Sequence, residues 1–202
     1  MLEMITRFRR SEEGSISIGL LFTVPILVWV LLSTFVFFDA YRAEAISERA
    51  GLTIADMFSR EELPITPEYL DNTQKLLRAI TEFDIDPDFR VTAYQYFDED
   101  NGYRVIWSEH RGEDFISNYD DESFKAVANR VPQLANGEIS LLIETQSQYT
   151  APLRQSIITF GIGNLTQVEF DTFVFIRPRP ALVCWDADAS PTTDDDCDRF
   201  AG

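Results

Sequence analysis

The chain has 202 residues, and 34 Asp and Glu against 17 Lys and Arg leave it at −17 at neutral pH. An acidic surface repels phosphate, and no basic stripe with interleaved aromatics offsets it, so nucleic acid is excluded as a partner. With 45% hydrophobic and 13% aromatic residues, the chain is too apolar to stay disordered and long enough to bury a core.

Residues 1–15 form a short polar tail in which Arg7, Arg9 and Arg10 face Glu3, Glu12 and Glu13, so the whole charge imbalance belongs to the remainder. From Ile16 to Phe38 there is no charged residue. At ~1.5 Å per residue this run makes ~34 Å of helix, enough to cross a hydrocarbon core of ~30 Å. Apolar side chains occupy every face, whereas a core helix shows a polar stripe, and the block exceeds the h-region of a signal peptide. The segment 16–38 is therefore predicted to span a membrane. Ala43-Glu44-Ala45 imitates a peptidase site but lies outside the apolar block, beyond Asp39 and Arg42. Because basic residues flanking a span stay on the cytoplasmic side, Arg7, Arg9 and Arg10 predict a cytoplasmic N-terminus and an exported remainder.

Past the span, Ile46, Ala50, Ile54 and Met57/Phe58 recur at helical spacing, so one helix is expected from about Ile16 to about Arg60, apolar first and amphipathic after. Gly51 is expected to weaken it by ~1 kcal/mol relative to alanine. Thr66-Pro67-Glu68 is a helix start, and Leu70, Thr73, Leu77 and Ile80 share one stripe of a helix over 67–83. Asp84, Asp86 and Asp88 have the spacing of a calcium loop, but Phe89 and Gln95 stand where that loop needs glycine and glutamate, so a solvated turn is expected.

Arg90–Phe97 and Tyr103–Trp107 flank Asn101-Gly102 and predict a β-hairpin. Asp121 and Glu122 open a short helix with Phe124, Val127, Ala128 and Val131 inward, stopped by Pro132. Glu138–Tyr149 and Val168–Ile176 read as further strands, the latter ended by Arg177-Pro178-Arg179-Pro180. Gly161-Ile162-Gly163 lacks the surrounding pattern of a phosphate loop and reads as a turn. The order predicts an α+β fold: a long N-terminal transmembrane and amphipathic helix, then an antiparallel sheet packed on helices. The expected divisions are a tail (1–15), a span (16–38), one extracytoplasmic domain (39–183) and an acidic C-terminal segment (184–202).

Catalytic constellations are not seen: His110 is the only histidine, and one histidine with two cysteines falls short of the four ligands that a closed zinc site normally requires, so none is expected. No catalytic residue, metal, cofactor or small-molecule substrate is expected. Cys184 and Cys197 are an even pair in the exported part and predict a disulfide around a polar loop. The aspartates at 186, 188 and 194–196 lack a liganding glycine and read as a solvated acidic run.

Arg-Phe-Arg-Arg-Ser-Glu-Glu-Gly at 7–14, the uncharged span with Pro25, the FDAYRAEAISERAGLTIADMFSRE segment and the late TFVFIRPRPALVCW run resemble the TadE/TadG-like minor pilins of the tight-adherence pilus system. The resemblance implies a pilin-like domain, a bacterial inner-membrane location with the domain in the periplasm, and partners among pilin-like subunits or the assembly machinery. It also implies a prepilin cleavage point between Gly14 and Ser15. In prepilins a glutamate stands five residues past the cut, where this chain has Gly19. A new ammonium at Ser15 then lacks its carboxylate partner, and burying it unpaired costs several kcal/mol, so a low-copy component is expected rather than the shaft subunit. Gly19 and Thr23, four apart, instead offer a close helix contact. A structural role through packing contacts follows; the competing class is a signal-anchored extracytoplasmic binding or sensor domain.

Overall fold

The computed structural model describes residues 13–83, 85–99, 102–112, 117–150, 167–179 and 183–187, apart from the side chains of 13–17 and 167. The described residues belong to two compact units, the first reaching Tyr41 and the second starting at Arg42. Helix α1 (Glu13–Arg60) is followed by α2 (Pro67–Thr81), β1 (Asp88–Phe97), β2 (Gly102–Arg111), α3 (Asp121–Phe124), β3 (Ile139–Thr150) and β4 (Gln167–Ile176). The α+β class and the antiparallel sheet are as the sequence predicts.

One unbroken α1 covers the expected 16–60. Its end is marked by an i,i+4 ion pair of Arg60 with Asp56 at 2.8 Å, and Pro64 prevents further continuation. Beyond Tyr41 one stripe of α1 is buried: Ala43, Ser47, Ala50, Gly51, Ile54, Ala55 and Phe58. Ile46, which the spacing placed on this stripe, is only half-buried, and Ser47 takes the inner position. Gly51 is no weak point. A Cβ there would stand 2.6 Å from Thr172 Oγ1, so the glycine lets the helix backbone approach β4.

The Thr66 hydroxyl accepts from the Tyr69 amide at 3.2 Å and starts α2, with Pro67 in the first turn. Glu82 ends it two residues before expectation by taking a left-handed conformation, φ 56°. Leu70, Thr73, Leu77 and Thr81 face inward.

The sheet order is β2-β1-β3-β4, all neighbours antiparallel, so the two strand pairs join through β1 and β3. This junction was not readable in the sequence, because strand pairing at long range leaves no local mark. A bulge sets Ile106 between the partners of Ala93 and Tyr94 in β2, which runs to Arg111 instead of stopping at Trp107. One face of the sheet presents Phe89, Val91, Ala93, Leu141 and Ile143 to α1 and α2, in a core with Ile54, Phe58, Leu70 and Leu77. The other face carries Tyr94 and Leu142, covered by Phe124, Val131 and Leu134.

That second cover is not the helix over 121–131 that the sequence predicts. Only Asp121–Phe124 is α-helical, opened by a reciprocal Asp120–Ser123 capping box. The chain then turns through tighter bonds from Ala126 to Ser123, Val127 to Phe124 and Arg130 to Val127. Packing of Phe124 and Val131 against Tyr94 and Leu142 sets this path, and Val127, which is β-branched, and Asn129 are weak helix formers that resist it little.

The segment after β4 returns to the first core. Ile65 and Trp185 form a parallel bridge, with the Ile65 amide donating to Cys184 O at 2.8 Å and the Asp186 amide to Ile65 O at 2.9 Å. The Trp107 indole donates to Val183 O at 2.7 Å, and its ring stacks on Trp185 at 6.0 Å.

Candidate functional site

Two features carry functional interest: the apolar half of α1 and a buried polar network on the second sheet face. Between Ile18 and Phe38, only Ser33 and Val36 are buried. Leu20, Leu21 and Phe22 are exposed at 55%, 69% and 66%, and Ile26, Leu27 and Val28 repeat this. Successive residues lie ~100° apart on a helix, so three in a row that are exposed mean apolar surface all round rather than one stripe. Water does not tolerate such a surface; a bilayer or a bundle of like helices does. Gly19 and Thr23 are both exposed, with open space where a Gly19 Cβ would point. Gly14 and Ser15 lie in the first turn of α1. The topology residues Arg7, Arg9 and Arg10 lie outside the described residues.

On the second face, Arg90 of β1 and Glu144 of β3 are direct cross-strand partners. Arg90 Nε donates to Glu144 Oε2 at 2.8 Å, and Nη2 donates to the same oxygen. Arg90 is 1% exposed and Glu144 7%. Nη1 donates to Ser117 O at 3.0 Å, and the guanidinium lies 3.4 Å from the Tyr119 ring centroid. The Tyr119 hydroxyl reaches Glu144 Oε1 at 3.4 Å, and its amide donates to Ser108 Oγ at 3.0 Å, itself bonded to Thr92 at 2.8 Å. One buried cation therefore ties the sheet to the 117–120 segment. The sequence reading missed this pair, although its signal was present: a single Arg between Phe89 and Val91, and a single Glu after Leu141-Leu142-Ile143.

Beside the network sits an aromatic cluster of Tyr94, Tyr103, Tyr119 and Phe124. Burial pushes the Tyr94 phenol up to about 12, partly opposed by the Ser140 hydroxyl. The Ser140 hydroxyl donates to Ile176 O at 3.1 Å. Burial likewise raises Tyr69, reinforced by Glu61, and Tyr119, reinforced by Glu144. A phenol whose folded pKa lies above its unfolded value favours the folded state below pH ~10 and loses that contribution as pH climbs towards its folded pKa. The expected result is a cooperative alkaline unfolding between pH ~10 and ~12, with Tyr94 ionising only as structure is lost. Tyrosinate absorbance and circular dichroism followed together would check it; full ionisation near pH 10 with the fold intact would contradict it.

His110 Nδ1 lies 2.6 Å from Asn118 Oδ1 at the exposed end of β2 and helps hold the same 117–120 segment. Asp86 pairs with Arg78 at 2.7 Å, and Asp88 sits against Gly112, whose φ of +127° and lack of a Cβ admit that carboxylate. Among the described residues no group of three His, Cys, Asp or Glu converges to hold a metal ion. Cys184 is in disulfide form. Cys197, the acidic run at 188–198, Asp84 and Gly161-Ile162-Gly163 lie outside the described residues.

An α+β domain continuous with one long apolar helix near the N-terminus is compatible with a single-pass membrane anchor. No family model, curated protein or solved structure matches the chain.

Proposed function

We propose that the chain is a single-pass, membrane-anchored structural component of a tight-adherence pilus or secretion assembly, pilin-like in build, and that it acts through packing contacts rather than chemistry. The observation that carries this reading is the two-part character of α1. Its first turns, residues 18–28, expose apolar side chains on all sides, while its second half buries one stripe in a core shared with its own sheet. A subunit built this way is stored in a bilayer by the first half and presents a folded domain through the second. The basic residues Arg7, Arg9 and Arg10 support an orientation with the N-terminus in the cytoplasm and the domain in the periplasm. Gly19, in place of a carboxylate, argues for a low-copy position, with Gly19 and Thr23 as the contact for a neighbouring helix.

Sheared filaments and the membrane fraction, compared by quantitative mass spectrometry, test the reading. The chain is expected in trace amounts relative to the most abundant pilin, crosslinked through positions 19 and 23 to pilin-like or machinery proteins. An exported phosphatase fused after Gly202 is expected to be active. Near-equal copy number would overturn the low-copy placement, and failure to copurify with any pilus component would overturn the assembly role.

A further inference from the structure

Where the end of α1, the end of β4 and the turn after α3 meet, they line an open cleft of about 590 Å³. Pro132, Leu134, Phe175 and Ile176 contribute apolar surface, and Asp56, Ser59, Arg177 and Arg179 the polar part. Phe175 is 47% exposed, unusual for a strand phenylalanine in a domain whose other aromatics are largely covered. Arg177 pairs with Glu138 at 2.6 Å, and Arg179 with Asp56 at 3.6 Å, the same carboxylate that Arg60 holds. Arg130 lies 4.0 Å over the ring of Phe173, two residues from Phe175 along the same face. Arg60, Arg177 and Arg179 thus share two carboxylates, Asp56 and Glu138, on a chain whose net charge is −17.

We propose that this cleft docks an extended acidic segment of a partner protein, with carboxylates on either side of an apolar side chain. The inference stands on the folded domain alone and does not depend on the membrane reading. Arg177 and Arg179 remain exposed even while paired, and exposed ion pairs are held weakly, so incoming carboxylates exchange readily for Glu138 and Asp56. Guanidinium groups take carboxylates in a two-pronged geometry that a lysine cannot supply. The intervening Pro178 limits backbone freedom, and the Arg179 amide donates to Ser59 O at 2.8 Å, so the two arginines are positioned before any ligand arrives. The apolar lining decides between anions: a phosphate or a lipid headgroup satisfies the arginines and leaves Phe175 uncovered, whereas a peptide covers it.

The test uses the full chain in nanodiscs and a fluorescent short peptide alternating aspartate and leucine, with a lysine–leucine peptide as control. The acidic peptide is expected to bind and to weaken as salt rises. Arg177→Glu/Arg179→Glu is expected to lower its affinity about tenfold or more, and Phe175→Ser severalfold, without moving the thermal transition by more than a few degrees, since all three side chains are exposed. Equal binding of the lysine peptide, unchanged affinity in the double arginine variant, or displacement of the peptide by inorganic phosphate or anionic vesicles alone would overturn the proposal. If the charge reversal unfolds the domain, Arg177→Gln/Arg179→Gln carries the same test.

Discussion

Arg90→Ala is expected to destabilise the domain by about 3–5 kcal/mol, because it strands the Glu144 carboxylate in a largely buried site. The same change removes the donor to Ser117 O and the cation over the Tyr119 ring, so the 117–120 segment loses its hold on the sheet. The pair as such is not the source of stability: two desolvated charges repay little more than their own desolvation. Arg90→Met/Glu144→Leu is therefore expected to recover most of the loss. It leaves a residual cost of about 1–3 kcal/mol for the unmatched Ser117 carbonyl. Urea unfolding of the full chain in detergent, followed by near-ultraviolet dichroism, would measure both. A single-variant cost below ~1 kcal/mol, or a double variant no better than the single, would show that the network is not what holds this face.

Gly51→Leu is expected to cost about 3 kcal/mol or more, since the added atoms meet Thr172 where a Cβ alone would already sit 2.6 Å from its hydroxyl. That hydroxyl has little room to yield, being bonded to Thr145 at 2.5 Å. Gly51→Ala isolates the competition: alanine gains ~1 kcal/mol of helix propensity and loses at least as much to the contact. Combining it with Thr172→Ala frees the space, so the two changes are expected to couple favourably by ~1 kcal/mol in a double-mutant cycle. Additive effects would mean that helix and strand do not touch at Gly51.

Local chemistry was enough to locate most elements. Pro67 after a capping threonine, the stripe of Leu70, Thr73 and Leu77, and the β-branched and aromatic runs flanking Gly102 each act within a few residues, and each forms near its predicted place. Where the sequence reading departed from the structure, contacts from afar decided. Val127, Ala128 and Val131 have helical spacing, yet the chain turns tightly there because Phe124 and Val131 must lie on the aromatic face of the sheet. Gly51 reads as a defect in isolation and becomes a point of closest approach once β4 lies beneath it.

What the sequence by itself determined is whatever depends on composition and short spacing: a charge-free helix long enough for a bilayer, an amphipathic continuation, an acidic chain, and the α+β class. Only the tertiary structure decided which strands are central, that Arg90 and Glu144 meet in the interior, and that Arg177 and Arg179 stand together beside an uncovered Phe175. The first two join residues tens of positions apart, and the third depends on Asp56 and Glu138 being brought beside residues 175–179; pairing at that range is set by the burial of both sheet faces at once, which no local window of sequence contains.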